Sequence, residues 1–374
     1  MDLTGRQQIL KALSKEGVEI RATFNYINHH DSLIPGIGKI FLFKLGGFLS
    51  GFRLILKQQL LLRQNLDVDF IILRAWKLHE TLPLFFFVRY LLRKKKPKFI
   101  LDLRTVPVDL KNSIHDRINV LRYKSGIYLA LKFFDGLTVI SEKLKQDIIE
   151  QYRCPQNKIT VWTTGVDPEH FNPDCVGDMR QSLNISERFV IMYHGIFSPF
   201  RGLQEAIKAI ALLKDKYPDI LLVLLGKGEA QKEYEKLIDD LHLHNHARLL
   251  PPVQFKDVPR FINSADCGIL PFPDLEWWNT SSPLKLNEYL AMGKPVVLTE
   301  IAAHKAVVKN EPFGFYSPDH NSQNIAKTIE AIYTSKERNS LKKSARKYAI
   351  ENLTWASQAK KIKSFMAQLQ GRVS

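Results

Sequence analysis

The stretch Thr280–Leu298, TSSPLKLNEYLAMGKPVVL, carries the residues best suited to gripping a phosphorylated ligand. It reads as a loop, a helix and a buried strand. Ser282 suits an N-cap and Pro283 the first helical position, while Gly293 suits the C-terminal stop and Pro295 leads into the apolar run Val296–Leu298. The N–H groups and positive dipole end of such a helix attract a phosphate. Lys285 adds a full charge within the first two turns, and Glu288 is placed to accept hydrogen bonds from a ribose. The same two side chains also have the i,i+3 spacing of an ion pair on a solvated helix face.

Those elements need a scaffold, and the rest of the chain supplies its pattern. Strand signals fall at Val18–Phe24, Phe70–Leu73, Phe99–Leu103, Leu137–Ile140 and Ile159–Trp162 in the first half. In the second half they fall at Phe189–Tyr193, Ile220–Leu225, Arg248–Leu250, Cys267–Leu270, Pro295–Leu298 and Gly314–Tyr316. Helical patterns such as Leu203–Lys216, Ala230–Leu241 and Ser322–Tyr333 lie between them. Alternation of this kind predicts parallel sheets covered by helices. A chain of 374 residues suits about two domains at roughly 100–200 residues each. The Pro-, Asp- and Gly-rich stretch Pro168–Gly177 marks a boundary. The expected division is an N-terminal domain over 1–170, a C-terminal domain over 171–350 and a terminal helix over 351–374.

Several segments, in order, resemble the retaining glycosyltransferases of the glycogen-synthase-like group, glycosyltransferase family 4. Thr280–Leu298 is similar to the family's donor motif, with Glu288 at the second of its two carboxylates and Thr280 where the first would stand. That departure leaves the donor sugar open. Thr164–Pro173, TGVDPEHFNP, is like the family's linker. Tyr193–Leu203, YHGIFSPFRGL, is like its phosphate loop, with Arg201 in place of the usual Lys and Ile196 in place of the usual Arg. Leu225–Glu229, LGKGE, is like the turn beneath the nucleotide, and Pro252 and Val253 lie where the base is held. Trp355–Met366 resembles a terminal helix that crosses back to the first domain.

The resemblance implies two Rossmann-like α/β domains facing across a cleft, the glycosyltransferase B-type fold. It implies donor contacts from Gly195, Arg201, Gly226, Lys227, Gly228, Val253, Thr280, Ser281, Ser282, Lys285, Leu286 and Glu288, with Arg201, Lys285 and Glu288 as the catalytic set. A guanidinium at Arg201 can hold a diphosphate bidentately. Gly5, Arg6, Asp102 and Arg104 are the acceptor candidates, although Asp102 and Arg104 equally suit a fold-stabilising pair. Trp277 and Trp278 suit either the donor loop or packing, and His194, after an apolar strand, reads as structural. Gly226 and Gly228 also suit an ordinary strand-to-helix turn. The resemblance implies no required metal and no cofactor, the nucleotide sugar (UDP- or GDP-linked) being a substrate.

Thr4–Gln8, TGRQQ, resembles the loop that opens the family's first helix, just after its first strand. Only Met1–Leu3 precede it, so the N-terminal domain is expected to lack that strand unless upstream codons supply it.

Charge points to a polyanionic partner. The first 170 residues hold 27 Lys and Arg against 16 Asp and Glu, and the chain totals +16. No acidic residue falls between Asp31 and Asp67 or between Glu80 and Asp102. Within Lys39–Arg63, Phe41, Leu45, Phe48, Phe52 and Ile55 recur at helical spacing, with Lys39, Arg53 and Lys57 opposite, as in an interfacial helix. Gly46, Gly47 and Gly51 argue against that helix, and packing on the sheet is its rival. Arg89–Lys98, RYLLRKKKPK, adds six positive charges. Nucleic acid is disfavoured because no basic-aromatic platform motif is present. Three scattered cysteines fit a reducing compartment, and no apolar run reaches the roughly 20 residues of a membrane span.

The resulting expectation is a cytoplasmic glycosyltransferase at the inner membrane face. It would move a sugar to a saccharide or lipid-linked acceptor, with retention, in bacterial surface polysaccharide synthesis. A nucleotide-sugar epimerase of the same fold and a non-catalytic basic scaffold are the alternatives.

Overall fold

The computed structural model describes residues 3–19, 22–26, 40–44, 69–73, 97–104, 106–107 and 113–371. Two compact units divide them, one holding Met1–Thr163 with Trp355–Ser374 and the other Thr164–Thr354. The chain thus passes into the second unit at Thr164, just upstream of the Pro-rich stretch, and leaves it after Thr354.

In unit 1 helix α1 (Leu3–Lys15) precedes a parallel pair, β1 (Ala22–Tyr26) with β2 (Ile40–Lys44). A second sheet runs β3 (Phe70–Leu73), β4 (Lys98–Leu103), β5 (Gly136–Val139), β6 (Ile159–Val161), parallel throughout. Helix α2 (Ile114–Phe133) connects β4 to β5, and α3 (Glu142–Tyr152) connects β5 to β6. Ser113 and Asp116 form a capping box on α2, and Ser141 caps α3 through the Leu144 N–H. Each cap satisfies donors that a helix start leaves open. Phe99, Leu101, Tyr123, Ile127, Leu137 and Ile148 build the core between sheet and helices.

Unit 2 is a six-stranded parallel sheet: β7 (Phe189–Ile196), β8 (Ile220–Lys227), β9 (Ala247–Leu250), β10 (Cys267–Leu270), β11 (Val296–Thr299) and β12 (Gly314–Ser317). Their spatial order is β12-β11-β10-β7-β8-β9. The central strands are apolar on both faces, as a sheet covered by helices on each side requires. Helices α4 (Leu203–Leu213), α5 (Gln231–Asp240), α6 (Val258–Asn263), α7 (Glu276–Asn279), α8 (Leu284–Ala291), α9 (Ala302–Val308), α10 (Ser322–Thr334) and α11 (Arg338–Asn352) complete the unit. Strand order reverses between β7 and β10. In such a sheet ligands bind in the crevice beyond the strand ends at this reversal. The final helix α12 (Trp355–Leu369) belongs to unit 1, where it packs on α1.

Several expectations change. Residues 40–44 form a strand rather than the start of an interfacial helix, their backbone pairing in parallel register with β1. The rest of Lys39–Arg63, and Arg89–Lys98 before Pro97, lie outside the described residues. Thr4–Gln8 sits inside α1, not in a loop before it. The strand expected ahead of Thr4 falls outside the described residues. Strand β1 spans Ala22–Tyr26, and the Val18 N–H, which the sequence places in a strand, bonds back to the Leu13 carbonyl. Helix α8 starts at Leu284 with Pro283 at the cap position and no side-chain cap. Ser282, the expected cap, instead pairs with Thr164, Oγ to Oγ1 at 2.7 Å. Among the described residues no helix is long and apolar enough to cross a membrane.

His304, wholly buried in α9, donates through Nδ1 to the Thr299 carbonyl at 2.9 Å, and its Nε2 has no hydrogen-bond partner among the described residues. Burial pushes its pKa down to about 4. Folding holds this imidazole neutral, so its contribution to stability is complete above the unfolded value near 6.5 and is lost as pH falls towards 4. His304→Leu should therefore lessen the loss of unit 2 stability between pH 7 and pH 4 by up to about 3 kcal/mol. Urea melts of both proteins across that range test this, and equal pH slopes would refute it.

Candidate functional site

The crevice between β7 and β10 gathers most of the predicted side chains. Strand β7 ends in Tyr193, His194, Gly195 and Ile196, and the loop after it forms a single turn, Pro199–Arg201. Gly202, at φ +68°, closes that turn against β10, where a Cβ would collide with the Pro271 carbonyl. This contact places Arg201 beside the strand ends. Its guanidinium carbon lies 4.8 Å from the Trp278 ring centroid and 5.6 Å from that of Phe272. Its charge lowers the pKa of the neighbouring Tyr193 hydroxyl, while its buried Nε lacks a hydrogen-bond partner among the described residues.

Lys285, from the first turn of α8, reaches the same point. Its Nζ stands 5.7 Å from the Tyr193 ring centroid. A Cβ on Gly195 would come within 2.9 Å of that nitrogen, so the glycine, at φ +127°, leaves room for the lysine. Two cations thus flank Tyr193. Its hydroxyl donates to the Ile196 carbonyl at 3.0 Å, and burial, partly offset by Arg201, pushes its pKa up to about 12. Ile196, where the family has Arg, is an exposed apolar side chain.

One turn further along α8, Glu288 is buried with His194. Oε2 of Glu288 lies 2.8 Å from Nε2 of His194. On the other side of the ring, Nδ1 is 2.9 Å from the Tyr289 hydroxyl, which also accepts the His194 backbone N–H at 3.1 Å. Counting hydrogens assigns the tautomer. The tyrosine donates its single proton to Nδ1, leaving Nε2–H to donate to the carboxylate. Gly268 on β10 makes this possible, since a Cβ there would come within 2.6 Å of the Tyr289 ring.

The other predicted donor residues lie in the loops and elements around this point. Thr280 is buried and its hydroxyl donates to the Glu276 carbonyl at 3.0 Å; the Ser281 hydroxyl donates to the Trp278 carbonyl at 2.7 Å. With Ser282 held by Thr164, these three hydroxyls shape the loop before α8. Trp278 stacks on Phe272 at 4.5 Å and donates Nε1 to the Phe200 carbonyl at 2.7 Å. It therefore packs the wall behind Arg201. Gly226 and Gly228 answer to backbone crowding, since a Cβ at either would strike the main chain of Gly195 or Phe197. Leu286 is core, Val253 packs half-buried against that core, and Lys227 is exposed at the end of β8.

In unit 1, Asp102 and Arg104 converge on Trp162. The buried Asp102 Oδ1 accepts from Thr138 Oγ1 at 2.7 Å and from Trp162 Nε1 at 3.1 Å. The Arg104 guanidinium lies 3.5 Å over the Trp162 ring and donates to its carbonyl. These contacts give both side chains a place in the fold of unit 1, the second of the two roles their positions suit. Gly5 and Arg6 lie in α1, with side chains outside the described residues.

Sequence reasoning missed His194, Tyr193 and Tyr289 as a set. His194 and Glu288 stand 94 positions apart, so no local spacing could signal them. A groove of about 530 Å³ between α4 and α5, lined by Gln204, Lys208, Glu233 and Asp240, includes none of these residues. Its charges largely pair with one another, as in Lys208–Glu205 and Lys236–Asp240. Among the described residues no cluster of three or more His, Cys, Asp or Glu could hold a metal ion.

Comparison with known proteins places the chain. Residues 7–170 match the model of Glycosyltransferase Family 4, and residues 177–348 match that of Glycosyl transferases group 1. A D-inositol 3-phosphate glycosyltransferase of Jonesia denitrificans is 26% identical over 233 residues, 59% of this chain and 54% of that protein. The chain spans about half the length of the curated relatives it matches. Sucrose-phosphate synthase from Thermosynechococcus elongatus shares the fold at a TM-score of 0.76 with 16% identity, covering 97% of this chain and 92% of that one. Anabaena HepE, solved in complex with UDP, does so at 0.69 with 18% identity, covering 88% and 86%. Two parallel α/β units, their order along the chain and the two adjoining family matches establish that the protein belongs to the glycogen-synthase-like glycosyltransferases of the B-type fold.

Proposed function

We propose that the protein is a glycosyltransferase whose unit 2 binds a UDP- or GDP-linked sugar at the crevice beside β7. The observation that carries this reading is the convergence of Arg201, Lys285 and Gly195 around Tyr193, one helical turn from the buried Glu288. Two cations, an uncapped helix start and a glycine that lets backbone approach suit a diphosphate. A buried carboxylate held by one imidazole N–H keeps further acceptor capacity for a ribose hydroxyl. That HepE was solved with UDP adds support from a protein of the same fold.

In this reading Arg201, Lys285 and the α8 terminus neutralise the diphosphate as the glycosyl bond breaks. Thr280 brings no carboxylate and has its hydroxyl turned back onto α7. Without a protein nucleophile there, the acceptor hydroxyl attacks the face the diphosphate leaves, giving retention, and cationic side chains do the charge work assigned elsewhere to a metal. The acceptor is a saccharide or a lipid-linked saccharide of bacterial surface polysaccharide synthesis. The excess of positive charge in the first half supports work at an anionic membrane face on the cytoplasmic side.

Glu288→Gln and Arg201→Ala should each weaken UDP or GDP binding by about 1.5–3 kcal/mol, the range for charge-assisted hydrogen bonds. Calorimetry checks both, and unchanged affinity in both variants would remove the assignment. Tyr289→Phe touches neither cation. It frees the imidazole to change tautomer and leaves the His194 N–H unpaired, so about 1–3 kcal/mol of unit 2 stability should be lost, with weaker nucleotide binding. Loss of stability without any change in nucleotide affinity would separate the network from the site.

A further inference from the structure

Helix α2 buries one face and leaves the opposite face apolar. Tyr123, Ile127 and Ala130 enter the unit 1 core. On the other side Ile114 is 79% exposed, Leu121 67%, Tyr128 65% and Ile118 43%. At 100° per residue these four fall within an arc of about 80°. Arg117, Arg122, Lys124 and Lys132, all exposed, flank or continue the stripe. The helix has one acidic residue, Asp116, and its carboxylate is engaged with Ser113 in the capping box. A helix apolar on both sides normally has both sides covered.

We infer that α2 is the element that docks the protein on an anionic lipid leaflet, its apolar stripe entering the headgroup region and its four cations meeting lipid phosphates. This rests on the membrane reading above and names the surface responsible. Charge complementarity selects the occupant. A second copy of the chain docked stripe to stripe would bring four cations against four with no free acid on the helix to meet them. A lipid surface of opposite sign attracts all of them, and long basic side chains can lay their stems beside the stripe while keeping their charges at the phosphates. Position fits as well. The anchoring face is part of the core, so the helix is held rigidly and needs no folding on contact.

The test uses the full chain and co-sedimentation with neutral phosphatidylcholine vesicles or vesicles holding about one third phosphatidylglycerol. The wild type should prefer anionic vesicles, less so as salt rises. Each cation near an anionic surface strengthens partitioning about fivefold, so Arg117→Glu with Lys124→Glu should lower it at least about 25-fold. Ile114→Ser with Leu121→Ser should lower it about tenfold or more. UDP binding and the melting temperature should not change in either pair. A separate Leu121→Trp variant, otherwise wild type, should show a blue-shifted emission on anionic vesicles. Strong anionic binding that both pairs retain, with no emission shift from the Leu121→Trp variant, would overturn the role of α2 and leave the membrane reading standing. Failure of the wild type to prefer anionic vesicles would overturn both. Wild-type self-association lost in the stripe variants, without vesicle binding, would assign the face to a second copy instead.

Discussion

A carboxylate buried in an otherwise apolar layer is costly unless its charge is met by hydrogen bonds. Glu288 is such a group, and much of unit 2 near the strand reversal follows from satisfying it. The donor must come from β7, so His194 points towards α8. The imidazole must present Nε2–H, so a hydroxyl must hold Nδ1, and Tyr289 provides it. Tyr289 can reach β7 only across a position without a side chain, which Gly268 supplies on β10. One buried charge thus constrains residues on three elements.

The neighbouring cations obey a different constraint. Arg201 and Lys285 approach one another around Tyr193, and like charges repel. Aromatic faces at Trp278, Phe272 and Tyr193 moderate that repulsion without neutralising it. The local field stays positive beside a buried negative group. A ligand with a diphosphate at one end and hydroxyls at the other complements both poles.

Much of this was legible in the sequence, for physical reasons. The strands of unit 2 are continuous apolar runs bounded by Gly, Pro and Asp, and runs of that kind admit few other structures. Lys285 and Glu288 are neighbours along one helix, so their proximity is local information. The partnership of Glu288 with His194 depends on strand order, which the sequence does not display. Ser282 was misread because cap propensity is local while Thr164, its actual partner, lies 118 positions away. The hydrogen bond from Trp162 to Asp102 was hidden similarly, since the two stand 60 positions apart. Strand β2 went unrecognised because five residues admit either period, and pairing with β1 decides between them. Helix α2 was passed over because apolar residues on both faces blur the helical period.

Unit 1 contains both the first and the last helix described. Helix α12 packs on α1, and Lys363 donates to the Glu16 carbonyl across 347 positions. Vectorial synthesis gives that arrangement a temporal meaning. Every element of unit 2 leaves the ribosome before α12 does, so the second unit can be finished while the first still waits for its closing helix. During translation α1 must remain without its partner for nearly the whole length of the chain. The half of the molecule synthesised first is therefore the half completed last.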